Sequence, residues 1–177
     1  MLFLLKLRKL LKGGKTMSKG GSGFFNGTSG SKYAAGSTYF MDPSDSFSIN
    51  IKNRKDIDVN GFYDVIAHGS PTEIEITHNG TKVKINHRIA ARLLKNDKAY
   101  SGQGIRLLSC STGKLPNGFA QNLANKLNVP VMAPTDYLWA GPSGKHFVAG
   151  GFTVNGELKV DQSKRGKFVI FYPRRRK

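Results

Sequence analysis

The sequence predicts an α/β domain with a mainly parallel sheet flanked by helices and with β-hairpin insertions. Three observations predict it. Residues 62–67, 105–109 and 129–133 are short apolar, β-favouring runs, the pattern of strands buried on both faces. Residues 87–95, and a stretch that Asn117 would cap, carry apolar side chains at helical spacing between those runs. Asn79-Gly80 and Asn155-Gly156 each separate two alternating segments, the mark of a tight hairpin.

The elements follow in chain order. Residues 47–52 alternate Phe47, Ile49 and Ile51 with polar residues and read as a strand. Residues 62–67 form the next strand, which ends at His68-Gly69. Residues 73–76 and 82–85 pair around Asn79-Gly80. Ile89, Leu93 and Leu94 share one side of a helix over 87–95. Residues 105–109 form a strand ending at Cys110. Phe119, Ala120, Leu123, Ala124 and Leu127 line the core face of the second helix. Residues 129–133 give a further strand, residues 147–154 and 157–160 a second hairpin, and residues 168–172 a last strand.

A chain of 177 residues with 38% apolar and 22% charged content can bury a core of its own. We expect a single domain over residues 37–173. A basic, glycine-rich extension at 1–36 precedes it, and a basic tail at 174–177 follows. The formal charge is +17, of which residues 1–20 carry +6, residues 21–158 carry +4 and residues 159–177 carry +7. Charge concentrated at the ends suits solvated tails, or tails that bind a polyanion, nucleic acid or an anionic membrane without sequence specificity. Residues 1–12 put Leu2, Phe3, Leu5, Leu7, Leu10 and Leu11 among basic residues, so a short amphipathic helix at a membrane surface is one reading and a loosely attached extension the other. They are too few to span a bilayer, and the order of charge and apolar run does not fit a secretory signal.

One cysteine excludes an internal disulfide framework and a cysteine-based zinc cluster. In an open α/β sheet the site lies beyond the carboxyl ends of the strands. His68 and Cys110 each follow directly on an apolar strand, so parallel neighbouring strands would bring both to one edge. A thiolate is a nucleophile, and a nearby histidine can take its proton. Backbone amides at Gly69 and in the loop 111–113 can hold an oxyanion. A buried, inert cysteine is the alternative. His78 and His87 have no carboxylate or cysteine at ligand spacing and read as surface histidines. No Gly-x-Ser-x-Gly motif points to a serine hydrolase.

The strings Asp64-Val65-Ile66-Ala67-His68-Gly69-Ser70 and Ile105-Arg106-Leu107-Leu108-Ser109-Cys110-Ser111, 42 positions apart from His68 to Cys110, resemble the caspase-fold cysteine peptidases. That clan includes caspases, gingipains, clostripain and the peptidase domains of bacterial toxins. The resemblance extends over about residues 60–152, through residues 119–124 and 129–136. It implies a caspase-like sheet, with His68 and Cys110 as catalytic residues and the amides of Gly69 and Cys110 as the oxyanion hole. Asp136, Tyr137 and Trp139 would line a substrate pocket in which Asp136 favours a basic side chain, the alternative being a turn-capping aspartate. Gly23 to Thr28 is similar to the junction that opens C-terminal domains of polymorphic toxins. A toxin or effector of that kind acts on a peptide or protein substrate in a target-cell cytoplasm and has a cognate immunity protein as partner. Toxin peptidases of the clan take inositol hexakisphosphate as an activator, for which Lys164, Arg165, Lys167 and residues 174–177 are the candidates. The rival expectations are a caspase-like binding module without turnover, and a polyanion- or nucleic-acid-binding protein.

Overall fold

The computed structural model describes residues 25–26, 37–57, 61–78 and 80–174. The amphipathic segment at 1–12, the glycine-rich stretch apart from Phe25 and Asn26, the turn residue Asn79 and the tail at 175–177 lie outside the described residues.

A six-stranded sheet forms the centre, in the order β1 (Phe25–Asn26), β2 (Ser37–Tyr39), β3 (Phe62–Ile66), β7 (Gly104–Leu108), β8 (Val131–Pro134) and β12 (Phe168–Phe171). The ladders from β2 through β8 are parallel, and both edge strands join antiparallel. Two three-stranded antiparallel sheets accompany it. One is β4 (His68–Gly69), β5 (Ile74–His78) and β6 (Thr81–Ile85). The other has β10 (His146–Val154) between β9 (Tyr137–Ala140) and β11 (Glu157–Arg165).

Strand alternation sorts the side chains into two cores. Tyr63, Val65, Ile105, Leu107, Val131 and Ala133 meet helices α2 (His87–Asn96) and α3 (Phe119–Leu127) in the larger one. Ile66 and Leu108 face the other way and pack with Tyr39, Met41, Leu138 and Val148, and with Ile51 of the short helix α1 (Ser46–Ile51).

These findings overturn the expected architecture. The described residues are 41% strand and 19% helix, with mixed and antiparallel sheets and three helices. The architecture is not a mainly parallel sheet flanked by helices, and the caspase-like fold is withdrawn. Three of the nine ladders described are parallel. The physical reason lies on the second face of the central sheet. There β9 and β10 with the short α1 bury the apolar side chains that full-length helices were expected to cover.

Two local readings also change. Residues 47–51 are helical and Lys52 is the C-cap, because Asp45 caps the start of the segment: its Oδ1 accepts from the Phe47 amide at 2.9 Å. The alternation of Phe47, Ile49 and Ile51 is incidental, since Ile51 is buried while Ile49 is exposed. Helix α3 takes Gly118 rather than Asn117 as its N-cap, without a side-chain cap. Its first amides donate instead to Pro71 O and Thr112 O, which fastens α3 to the loops behind His68 and Cys110.

A buried ion cluster braces the two strands that lead to His68 and Cys110. Asp64 and Arg106 are register partners on β3 and β7. Arg106 donates to Asp64 through Nε and Nη2, both at 2.7 Å, and to Asp56 through Nη1 at 2.8 Å. Arg54 Nε donates to the same Asp64 at 2.8 Å, and its Nη1 donates to the Tyr39 hydroxyl. His146 Nε2 lies 3.2 Å from Asp56.

Candidate functional site

The site starts from the register of two parallel strands. Ile66 of β3 pairs with Leu108 of β7, and the Ala67 amide donates to Leu108 O at 3.3 Å. Two residues further along each chain stand His68 and Cys110, so both leave the sheet at the same edge. The approach is close at Gly69. A Cβ there would lie 2.8 Å from Cys110 O, 2.8 Å from Thr112 Cγ2 and 3.0 Å from Ser109 Cβ. Only glycine lets the chain after His68 pass this tightly against the cysteine turn.

His68 is held from a residue that the sequence reading missed. Its Nε2 lies 2.8 Å from Oδ2 of Asp45, whose other oxygen caps α1. The pair is half-buried, and the Phe47 ring flanks the imidazole at 6.4 Å between centroids. One carboxylate thus starts a helix and orients a histidine. With Nε2 facing Asp45, Nδ1 is the other ring nitrogen.

Cys110 meets β9. Its Sγ accepts from the Leu138 amide at 3.4 Å and faces Leu138 O at 3.9 Å. Burial pushes the thiol pKa up, and the charge of Asp136 adds to the rise, while the Leu138 amide works the other way. The resting group is therefore a neutral thiol turned toward β9.

The loop after the cysteine is not the open amide cradle expected. Ser111 adopts a left-handed conformation with φ 57°, uncommon for a residue with a side chain. Its amide donates to Asp136 O at 2.9 Å, and that of Gly113 donates to Pro134 O at 2.8 Å. Those two donors are committed to the β8–β9 connection, so the oxyanion candidates narrow to Gly69 and Cys110.

The proposed pocket residues separate. Asp136 stays beside the cysteine turn, and its Oδ1 accepts from the Tyr137 amide at 2.9 Å, the local capping arrangement. Tyr137 and Trp139 alternate with the buried Leu138, so they occupy the face of β9 away from the thiol. Their rings stand 6.1 Å apart, and Trp139 Nε1 donates to Ala149 O.

The basic residues expected to hold a polyanion sit in different surroundings. Lys164 Nζ lies 3.5 Å from Asp161, Lys167 bonds Thr135 through its backbone, and Arg174 donates to Asn117 Oδ1 and Pro116 O at the start of α3. The remaining candidates, residues 175–177, lie outside the described residues. Among the described residues no group of three or more His, Cys, Asp or Glu gathers at metal-binding distance, and no helix is long and apolar enough to cross a membrane.

Asp45 carried a signal that the strand reading of 47–52 hid, because Asp-Ser ahead of an apolar residue is an N-cap pattern. Leu138 carried none, since it acts through its backbone.

Comparison with known proteins adds one result. No curated protein and no solved structure matches the chain. A family described as a domain of unknown function, DUF8616, matches residues 36–148. The matched span opens just before β2, closes within β10 and contains Asp45, His68, Gly69, Cys110 and Leu138. As it covers more than half of the sequence, the chain belongs to the DUF8616 family.

Proposed function

We propose that this chain is a cysteine hydrolase, in its narrowest form an endopeptidase domain of a bacterial toxin or effector, acting through His68 and Cys110. The observation that carries the reading is the β3–β7 register, with Gly69 packed on the cysteine turn. The Asp45–His68 contact supports it, because a general base works best when a third group fixes its ring.

The chemistry runs as an acyl transfer. A peptide substrate entering the site draws Sγ away from the Leu138 amide. His68 takes the thiol proton, and the sulfur attacks the peptide carbonyl carbon. The amides of Gly69 and Cys110 stabilise the oxyanion. Collapse of the tetrahedral adduct breaks the C–N bond, and His68 gives its proton to the leaving amine. Water, deprotonated by His68, then cleaves the thioester and restores the thiol. No step needs a polyanion activator.

A second reading has its own observation. The thiol is partly buried, burial raises its pKa, and its polar contacts are with Leu138. That favours a binding module in which Cys110 is packing.

Incubation with a peptidyl chloromethyl ketone, followed by mass spectrometry, separates the two. The hydrolase reading expects one adduct on Cys110, formed at least tenfold more slowly in His68→Ala with an unchanged melting temperature. Because the folded thiol pKa is raised, plain alkylation by iodoacetamide should climb with pH through a midpoint above the ordinary value near 8.5. Adduct formation that is equally slow in wild type and His68→Ala would leave the binding module standing.

A further inference from the structure

The two faces of the sheet β9–β10–β11 differ, although Phe152 and Val154 are exposed beyond the core on the first and Ala149 is covered by its neighbours on the second. Leu138 and Val148 point into the core. On the opposite face the register sets Trp139 beside Phe147, Tyr137 beside Ala149, and Ala149 beside Arg165. Leu158 and Tyr137 close over Gly151, where an added Cβ would lie 3.0 Å from the leucine and 3.1 Å from the tyrosine ring. Three aromatic rings and a leucine therefore share one solvent-facing surface, with Phe147 49% and Leu158 43% exposed.

The register places one charged side chain on this face, Arg165. Arg165 is exposed and forms no ion pair among the described residues. The acidic residues of the same strand, Glu157 and Asp161, pair in register with Val154 and Gly150 and fall on the other face. Asp161 is also engaged by Lys164.

We propose that this face binds single-stranded nucleic acid, the bases stacking on Trp139, Tyr137 and Phe147 and Arg165 meeting a phosphate. Aromatic side chains beside an unpaired cation can hold single strands without sequence preference, because every base has a stacking face and every linkage a charge. An acidic protein would use Arg165, but its carboxylates gain nothing from three clustered rings. The site is independent of Cys110, and its success or failure says nothing about hydrolysis.

Trp139 is the only tryptophan, so its emission reports this face alone. The full chain is titrated with a 15-nucleotide oligo(dT) and, separately, with heparin and poly-glutamate at matched charge. We expect saturable quenching of Trp139 by oligo(dT), with affinity that falls as salt rises. Phe147→Ala, which leaves the charge intact at a half-exposed position, should weaken oligo(dT) about tenfold and leave heparin binding unchanged, in line with loss of one stacking partner. Arg165→Ala should weaken oligo(dT) and flatten the salt dependence by about 0.7 in log–log slope, one single-strand phosphate contact. Circular dichroism melts verify that both variants fold. Binding of oligo(dT) without a change in Trp139 emission, or equal affinity in Phe147→Ala, would assign the affinity to the charged ends and overturn the proposal. Equal quenching by poly-glutamate would overturn it in favour of an acidic protein partner, and an absence of binding at 50 mM salt would end it outright.

Discussion

At the scale of single residues, Asp45 ties structure to chemistry. Its Oδ1 satisfies a helix amide and its Oδ2 meets His68 Nε2. The two duties separate by substitution. Asp45→Ser keeps a hydroxyl for the cap but is too short to reach the imidazole, and serine caps about as well as aspartate. Its stability should stay within about 0.5 kcal/mol of wild type by urea melt. Its rate of chloromethyl ketone addition to Cys110 should fall about tenfold, the order expected when a base loses its orienting partner. Asp45→Asn keeps the cap through its amide oxygen but turns an N–H donor toward Nε2, which puts the imidazole proton on Nδ1, so it should hold the fold and not recover the rate. Equal rates in wild type and Asp45→Ser would reduce Asp45 to a helix cap. The shared sheet edge of His68, Gly69 and Cys110 was legible in the sequence because an apolar strand followed by His-Gly, and another followed by a small residue and Cys, is a local pattern. Asp45 was not, since it lies 23 positions before His68 and reaches it only after α1 folds back onto the sheet.

At the scale of elements, the pattern of period two misled at one place for a definable reason. Phe47, Ile49 and Ile51 alternate, and alternation is the strand signal, but six residues are too few to distinguish a strand from a helical turn by period alone. The cap decided it. The two structures make different demands on the isoleucines. A strand would bury Ile49 and Ile51 together on one face, whereas the helix buries Ile51 fully and leaves Ile49 42% exposed. Ile51→Ala should therefore cost about 2–5 kcal/mol in urea melts, the range for truncating a core aliphatic side chain. Ile49→Ala should cost less than about 0.5 kcal/mol. Equal losses at both positions would return the segment to a strand. The hairpin about Gly80 and the helix α2 were legible because turn chemistry and apolar spacing agree there. The strand β9 was not, as four residues with Leu138 buried and both neighbours half-exposed offer little period to count.

At the scale of the whole molecule, the central parallel strands were readable from their apolar runs, but what covers them was not. Covering is a long-range event: β9 and β10 lie some 70–80 positions after β3 and still supply Leu138 and Val148 to its far face. The same holds for charge. In sequence Asp64 reads as one polar residue in an apolar strand. In the fold it is fully buried and accepts from Arg54 and Arg106, which joins the end of α1 to β3 and β7. Asp56 completes the set at the margin. Burial works against its ionisation, but the hydrogen bond and charge of Arg106, with a smaller part from His146, outweigh that and hold its pKa below the usual carboxylate value. A carboxylate of that kind contributes stability above its unfolded pKa, near 3.9, and loses it as pH falls through the lower folded value.

The cluster makes a demand that surface pairs do not. Asp64→Asn keeps the volume and removes the charge, which strands two guanidinium groups in the interior with only Asp56 to balance them. Breaking a buried pair from one side costs about 3–5 kcal/mol, against a total stability on the order of 5–15 kcal/mol. We expect a loss of that size in urea melts at pH 7. The exposed Lys159–Glu157 pair, though as short as 2.6 Å, is the control, and Lys159→Met should change stability by less than about 1 kcal/mol. If Asp64→Asn proved as mild as Lys159→Met, the two arginines would have to be reaching water, and the brace between β3 and β7 would not be what holds His68 and Cys110 at one edge.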